Sequence, residues 1–198
     1  MIRAYSFSTA GGHPVNEDAF VLQPLPNGTG WFVALADGQG GRAGGARAAQ
    51  VACQAAARAD NPSDADAAVS ADALAGFTTL VALRVEGDRV TGASCGDSAA
   101  LAAWGDGLMR VLTARQFKNP PVGSGDATFV PFALELTRPW KVLAVSDGVW
   151  KYAGWERVWN CAARLSGEEL IAALQTAARL PTSGEFQDDF TVVLLEGE

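Results

Sequence analysis

Three apolar runs in this chain adjoin aspartate. Trp31-Phe32-Val33-Ala34-Leu35-Ala36 ends in Asp37-Gly38, Val142-Leu143-Ala144-Val145-Ser146 ends in Asp147-Gly148, and Asp188-Asp189 lead into Phe190-Thr191-Val192-Val193. Asp18, in Asn16-Glu17-Asp18, and Asp97, in Gly96-Asp97-Ser98, add two more carboxylates. Glycine after aspartate lets the chain turn away and frees a backbone carbonyl. A set rich in oxygen and nearly free of histidine suits hard cations such as Mg²⁺ or Mn²⁺. Two such ions bind phosphate oxygens and acidify water, so hydrolysis of a phosphoester there needs no protein nucleophile. Taken singly, each Asp-Gly reads as a turn; the argument for a site rests on their combination.

The elements that must carry these residues follow from pattern. Residues 19–22 form a short apolar run before Pro24, Pro26 and Gly28, and 31–36 read as a buried strand. The alanine-rich stretch 46–59 predicts a helix, and Ser63 or Asp64 is expected to cap a second one running to about 75. Strands are expected over 78–85, 89–95, 98–104 and 108–112. Turns at Gly87-Asp88 and Gly105-Asp106-Gly107 would join them in an antiparallel meander. Residues 114–128 are polar and rich in glycine and proline, and read as a loop. Strands 129–136 and 142–146, helices 156–165 and 168–180, and a last strand 190–195 complete the order; Ser166 and Glu169 have capping-box spacing. Helix pairs far apart in sequence predict one pair on each outer face of a sheet system. That is an α+β fold, a four-layer αββα sandwich of two antiparallel sheets, with a two-layer α+β domain as the alternative.

The whole chain narrows the function classes. Its 198 residues fit a single domain, 1–198, and 48% hydrophobic with 19% charged residues supplies a sizeable core. A net charge of −7 argues against nucleic acid. The first residues lack a signal-peptide core and no apolar run approaches membrane-spanning length, so a cytoplasmic protein without membrane association is expected. Cys53, Cys95 and Cys161 are scattered among small residues and read as buried free thiols. His13 is the sole histidine, which leaves little material for a zinc site or a Ser-His-Asp triad.

The segments Asn16-Glu17-Asp18-Ala19-Phe20, Ala36-Asp37-Gly38-Gln39-Gly40-Gly41, Cys95-Gly96-Asp97-Ser98, Val145-Ser146-Asp147-Gly148 and Asp188-Asp189-Phe190-Thr191 occur in that order. The series resembles the metal-dependent serine/threonine phosphatases, the protein phosphatase 2C family, across nearly the whole chain. Gly76-Phe77-Thr78-Thr79 resembles the family's Gly-x-Thr strand start. The resemblance implies the αββα sandwich and two divalent cations, Mn²⁺ or Mg²⁺. Asp37 would bridge them, the Gly38 carbonyl would hold one, Asp147 and Asp188 would complete the other, and Asp18 would act through a bound water. Asp97 matches a position that, with Asp147, holds a third ion in some members. Asp189 stands where many members have asparagine. The implied partners are a phosphorylated protein substrate and a cognate serine/threonine kinase, with the chain a monomer.

The chain departs from that pattern in three places. The arginine that grips phosphate, three residues before Asn16, is His13 here, which donates one hydrogen bond but forms no bidentate clamp. His13 is thus a candidate phosphate ligand or general acid, beside the plain reading of a loop histidine bonded to backbone. Gln39 stands where some members have a histidine proposed as the acid. The stretch 114–141 is shorter than the family's usual flap, much of which small bacterial stress-response regulators also lack, and the usual Asp-His after the Leu-Thr step reads Ala114-Arg115 here. An open cleft follows, with Arg115, Gln116 and Lys118 either touching substrate or forming a solvated loop.

Other readings are weaker. Gly38-x-Gly40-x-x-Ala43 fits the dinucleotide fingerprint, but no second parallel strand ending in an acidic residue follows near position 60. A pseudo-phosphatase that binds phosphoproteins, or a phosphatase of small phosphoesters, stands as the alternative. Of six tryptophans, Trp155 and Trp159 share one helix face and are expected to pack in the core, or to dock a partner if exposed.

Overall fold

The structure, a computed structural model, describes residues 1–40, 43–59, 61–105 and 107–198. Gly41 of the Ala36-Asp37-Gly38-Gln39-Gly40-Gly41 segment and Asp106 of the expected 105–107 turn lie outside them. Among the described residues, ten strands form two five-stranded antiparallel sheets. The first sheet orders β1 (Ile2–Thr9), β10 (Phe190–Gly197), β9 (Trp140–Val145), β6 (Ala99–Trp104) and β7 (Leu108–Val111). The second orders β2 (Asp18–Pro24), β3 (Gly30–Asp37), β4 (Leu80–Glu86), β5 (Arg89–Cys95) and β8 (Val130–Glu135).

Period-two alternation divides the core into layers. Along β3, Val33 and Leu35 face the other sheet, where they meet Val142, Ala144, Val193 and Leu195. Phe32, Ala34 and Ala36 face outward against α1 (Gly45–Arg58) and α2 (Ser63–Ala71). The buried stripe of α1 is Ala48, Ala49, Ala52, Cys53 and Ala56, so the small side chains let the helix lie close to the sheet. Beyond the first sheet, α3 (Asp147–Ala153), α4 (Trp155–Arg164) and α5 (Gly167–Ala178) cover Leu101, Leu143, Val192 and Leu194. The expected four-layer sandwich is therefore present, and the two-layer alternative is not.

Several local expectations are corrected. The strands over 78–112 do not form one meander. β4 and β5 pair in one sheet and β6 and β7 in the other, because the chain changes sheets at Gly96-Asp97 with Gly96 at φ +120°. A Cβ at Gly96 would sit 2.5 Å from the Thr79 Cβ, so a side chain there would block the crossover. The outer faces carry a pair and a trio of helices rather than two pairs, since the Asp147-Gly148 segment continues as α3. β1 was not read from its sequence; it pairs along the edge of β10. Helix α2 stops at Ala71, and neither Ser63 nor Asp64 caps it; Asn61 Oδ1 accepts the Ser63 N–H instead (3.1 Å). Ser166 makes no capping bond either, because the buried Glu196 of β10 accepts the Gly167 N–H (3.0 Å).

The cysteines are free; Cys53 and Cys95 are buried, while Cys161 is half-buried. Trp150, Trp155 and Trp159 form a stacked ladder with centroids 5.6 and 5.7 Å apart, half-buried against the α3–α5 core. No helix among the described residues is long and apolar enough to cross a membrane.

Candidate functional site

Asp18 opens β2 and Asp37 closes β3, and the register sets them directly opposite one another. Two residues along, Phe20 and Leu35 form the equivalent pair and pack between the sheets, so the two aspartates share that face at one end of the sandwich. Like charges across a strand pair repel and weaken a sheet. Inward-facing hydroxyls floor this end: Thr79 and Ser98 hydrogen-bond at 2.7 Å, and Ser146 Oγ accepts the Thr191 N–H at 3.0 Å. From the first sheet come Asp147, just after β9, and Asp188, just before β10; Asp97 lies in the turn between β5 and β6.

These segments converge on one pocket of about 370 Å³, lined by Asp37, Asp97, Asp147, Asp188, Asp189, Glu17, Gly38, His13 and Lys118 among others. Buried Asp18 lies behind it, opposite Asp37. A smaller pocket of about 220 Å³ sits at the other end of the first sheet, around Trp104, Trp140 and Glu196, with none of these aspartates.

Charge is held there under strain. Burial pushes the Asp37 carboxyl up to about 9, reinforced by Asp18, Asp147, Asp97 and Asp188 in that order. Burial also raises Asp18 to about 7, with Asp189 and Asp147 adding to the shift; Thr191 and Ser146 oppose it. Both Asp18 oxygens are nevertheless buried without a hydrogen-bond partner, since those two hydroxyls are engaged with Ser8 and with Asp189 and Thr191. Asp147 is raised by burial, while the hydrogen bond from Lys151 pulls it back. Glu17 is raised by burial and then by Asp189.

Glycine lets the backbones crowd around this centre. A Cβ on Gly38 would sit 2.4 Å from the Gly45 carbonyl carbon, and one on Gly148 would sit 2.0 Å from the Asp189 oxygen. The Gly38 N–H donates to the Glu17 carbonyl (3.1 Å), tying the two acidic segments together. Asp189 holds the loop between β1 and β2. Its two oxygens accept the N–H groups of Gly11 (2.9 Å) and Glu17 (2.5 Å). That loop carries His13, which is exposed on the pocket lining and has no hydrogen-bond partner among the described residues, against the plain reading of a backbone-bonded histidine.

The flap residues differ in fate. Lys118 reaches Asp97 at 2.5 Å, Gln116 turns its amide onto the Ser98 carbonyl (2.7 Å), and Arg115 is exposed outside the pocket lining. Sequence reading did not single out Lys151, Glu17, Thr79 or Ser98. The available signal was position: Thr79 and Ser98 flank β4 and β6 on the inward register, and Lys151 lies four residues after Asp147.

The donor chemistry fits divalent cations. Two buried oxygens of Asp18 lack partners, and clustered carboxylates repel unless a positive charge sits among them. The side chains do not stand as a closed cage: among the described residues no three of His, Cys, Asp or Glu are grouped closely enough to hold an ion as they are. Lysines engage Asp147 and Asp97 instead.

The architecture, two five-stranded antiparallel sheets between helix layers, is similar to that of solved bacterial serine/threonine phosphatases. A bacterial serine phosphatase bearing a point mutation superposes with a TM-score of 0.83 at 19% identity, covering 100% of this chain and 99% of its own. Serine/threonine phosphatase Stp1 from Staphylococcus aureus matches with a TM-score of 0.81 at 18% identity, over 100% and 96% of the two chains. RsbX, solved in complex with magnesium, matches with a TM-score of 0.79 at 15% identity, over 98% and 94%. No family model and no curated protein matches the sequence.

Proposed function

We propose that this chain is a metal-dependent protein phosphatase that hydrolyses phosphoserine and phosphothreonine at a centre of two divalent cations, Mn²⁺ or Mg²⁺. One observation carries the reading: carboxylates from separate segments, Asp18, Asp37, Asp97, Asp147 and Asp188, converge at one end of a sandwich whose fold is shared over its full length with serine/threonine phosphatases. The magnesium complex of RsbX supports the choice of ion.

Bound cations would supply Lewis acidity toward the phosphoryl oxygens and an acidified water for the attack. Asp37 and the Gly38 carbonyl would hold them from the β3 side, Asp147 and Asp188 from the other sheet, and Asp18 from behind through water. His13, on the loop fastened by Asp189, would serve with its N–H either as a hydrogen-bond donor to the phosphate or as the acid toward the departing serine or threonine oxygen. The chain works as a monomer in the cytoplasm on a phosphoprotein that a cognate serine/threonine kinase supplies.

Phosphate release from a phosphothreonine peptide tests this, measured with Mn²⁺, with chelator, and in Asp37→Asn. Release should require Mn²⁺ and fall by more than about 100-fold in the variant, beyond what loss of a group supporting a metal ligand gives. No release by folded protein that binds Mn²⁺ would refute the reading. A screen of small phosphoesters would then separate another hydrolase from a phosphoprotein-binding module.

A further inference from the structure

The corner between Asp97 and Asp147 already holds cations that belong to the chain. Lys118 Nζ lies 2.5 Å from Asp97 Oδ2. Lys151 Nζ donates to Asp147 Oδ2 and lies 4.0 Å from that same Asp97 oxygen. The two lysines come from different parts of the fold, the flap and α3, and meet at one carboxylate.

Both side chains are exposed, but the segments that carry them are fastened to the corner. The flap segment that carries Lys118 is fastened to the 96–98 turn on both sides. The Gly96 N–H donates to the Phe117 carbonyl (2.8 Å), and the Gln116 amide donates to the Ser98 carbonyl (2.7 Å). The Cys95 thiol adds contacts to the carbonyls of Phe117 (3.7 Å) and Pro120 (3.4 Å). On α3, Lys151 lies one turn beyond Asp147, so the i,i+4 spacing sets the pair on one face. Its neighbour Trp150 donates from Nε1 to the Asp97 carbonyl (3.0 Å), which pins the turn to the helix.

We propose that Lys118 and Lys151 take the place of a third divalent cation at the Asp97–Asp147 corner, so that this centre closes on two ions. Two ammonium groups balance the two carboxylates there and occupy oxygens that an ion would need. A divalent ion entering beside them would meet like charge at short range. Lysine suits this role because its ammonium is a compact point charge with three donors. The inference rests on the metal-dependent reading above and adds to it the number of ions and the residues that set that number.

The test counts manganese bound per folded chain by native mass spectrometry and by equilibrium dialysis at millimolar Mn²⁺. The proteins are the wild type, the double variant Lys118→Ala with Lys151→Ala, and that double variant carrying Asp97→Asn as well; thermal melts verify folding. Two ions are expected in the wild type, three in the double variant and two again once Asp97 is changed. Three ions in the wild type, or two in the folded double variant, would overturn the proposal. Fewer than two in the wild type would refute the metal-dependent reading itself and this inference with it. If the double variant does not fold, Lys118→Ala alone replaces it, since that side chain is 67% exposed; a third, weaker site is then expected, and its absence counts against the proposal.

Discussion

Asp189 shows how much one side chain organises without a place among the expected metal ligands. Its two oxygens accept two backbone N–H groups, from Gly11 and Glu17, and so fix both ends of the loop that carries His13. Asparagine, which the resembling family often has here, offers one oxygen and turns an NH₂ toward the second donor. Asp189→Asn should therefore lower stability by about 1–3 kcal/mol, read as a fall in Tm of roughly 2–4 °C per kcal/mol for a chain of this size. An unchanged melt would remove Asp189 as the anchor of that loop. The aspartate was legible in the sequence, but its partners lie far back along the chain near the N-terminus, so its role was not.

At the scale of elements, the flap illustrates the same limit. Its glycines and prolines read correctly as a segment without regular helix, and the expectation of a solvated loop is only partly met. Asp66, buried on α2, accepts the N–H groups of Gly123 (2.6 Å), Gly125 (3.3 Å) and Ala127 (3.2 Å). Val122 and Thr78 exchange backbone hydrogen bonds at 3.0 Å, which joins the flap to the strand start next to Asp37. Asp66→Ala strands these donors, at about 1–3 kcal/mol, and should speed amide exchange across 122–127 while leaving β3 and β9 protected. Exchange that stays slow in the variant would show that the β-bridge alone holds the flap. Because the flap sets the position of Lys118, the same variant should also weaken the Lys118–Asp97 contact.

At the scale of the molecule, the acidic end opposes folding unless it is neutralised. Asp18 and Asp37 have folded-state carboxyls near about 7 and about 9, against about 4 in an unfolded chain. A raised acid pKa means that the folded state binds more protons than the unfolded one between those values. The slope of unfolding free energy with pH is then negative, and metal-free protein loses stability as pH rises from about 4 toward about 9. Under the metal-dependent function proposed above, divalent cations would bind the ionised carboxylates of the folded state and reverse the trend. The rise in Tm on adding Mn²⁺ should be small at pH 5 and large at pH 8, as followed by thermal melts in chelator and in Mn²⁺. A Tm increment independent of pH would mean that the ions bind away from these groups.

The sequence alone determined what is local and periodic. Continuous apolar runs marked β3, β9 and β10, the alanine-rich stretch marked α1, and Asp-Gly steps at strand ends named Asp37 and Asp147. These features need only near neighbours, and the order of the acidic motifs carried the fold class with them. The tertiary structure decided what depends on long-range pairing. It opposed Asp18 to Asp37 through strand register, sent the chain from one sheet to the other at Gly96, and placed Asn61 and Glu196 as helix-end partners instead of the expected capping side chains. It also brought Lys118 and Lys151 to the Asp97–Asp147 corner. A charge cluster becomes a site only when separate strands end at one place, and that meeting is a property of the sheets' assembly, which no short window of sequence contains.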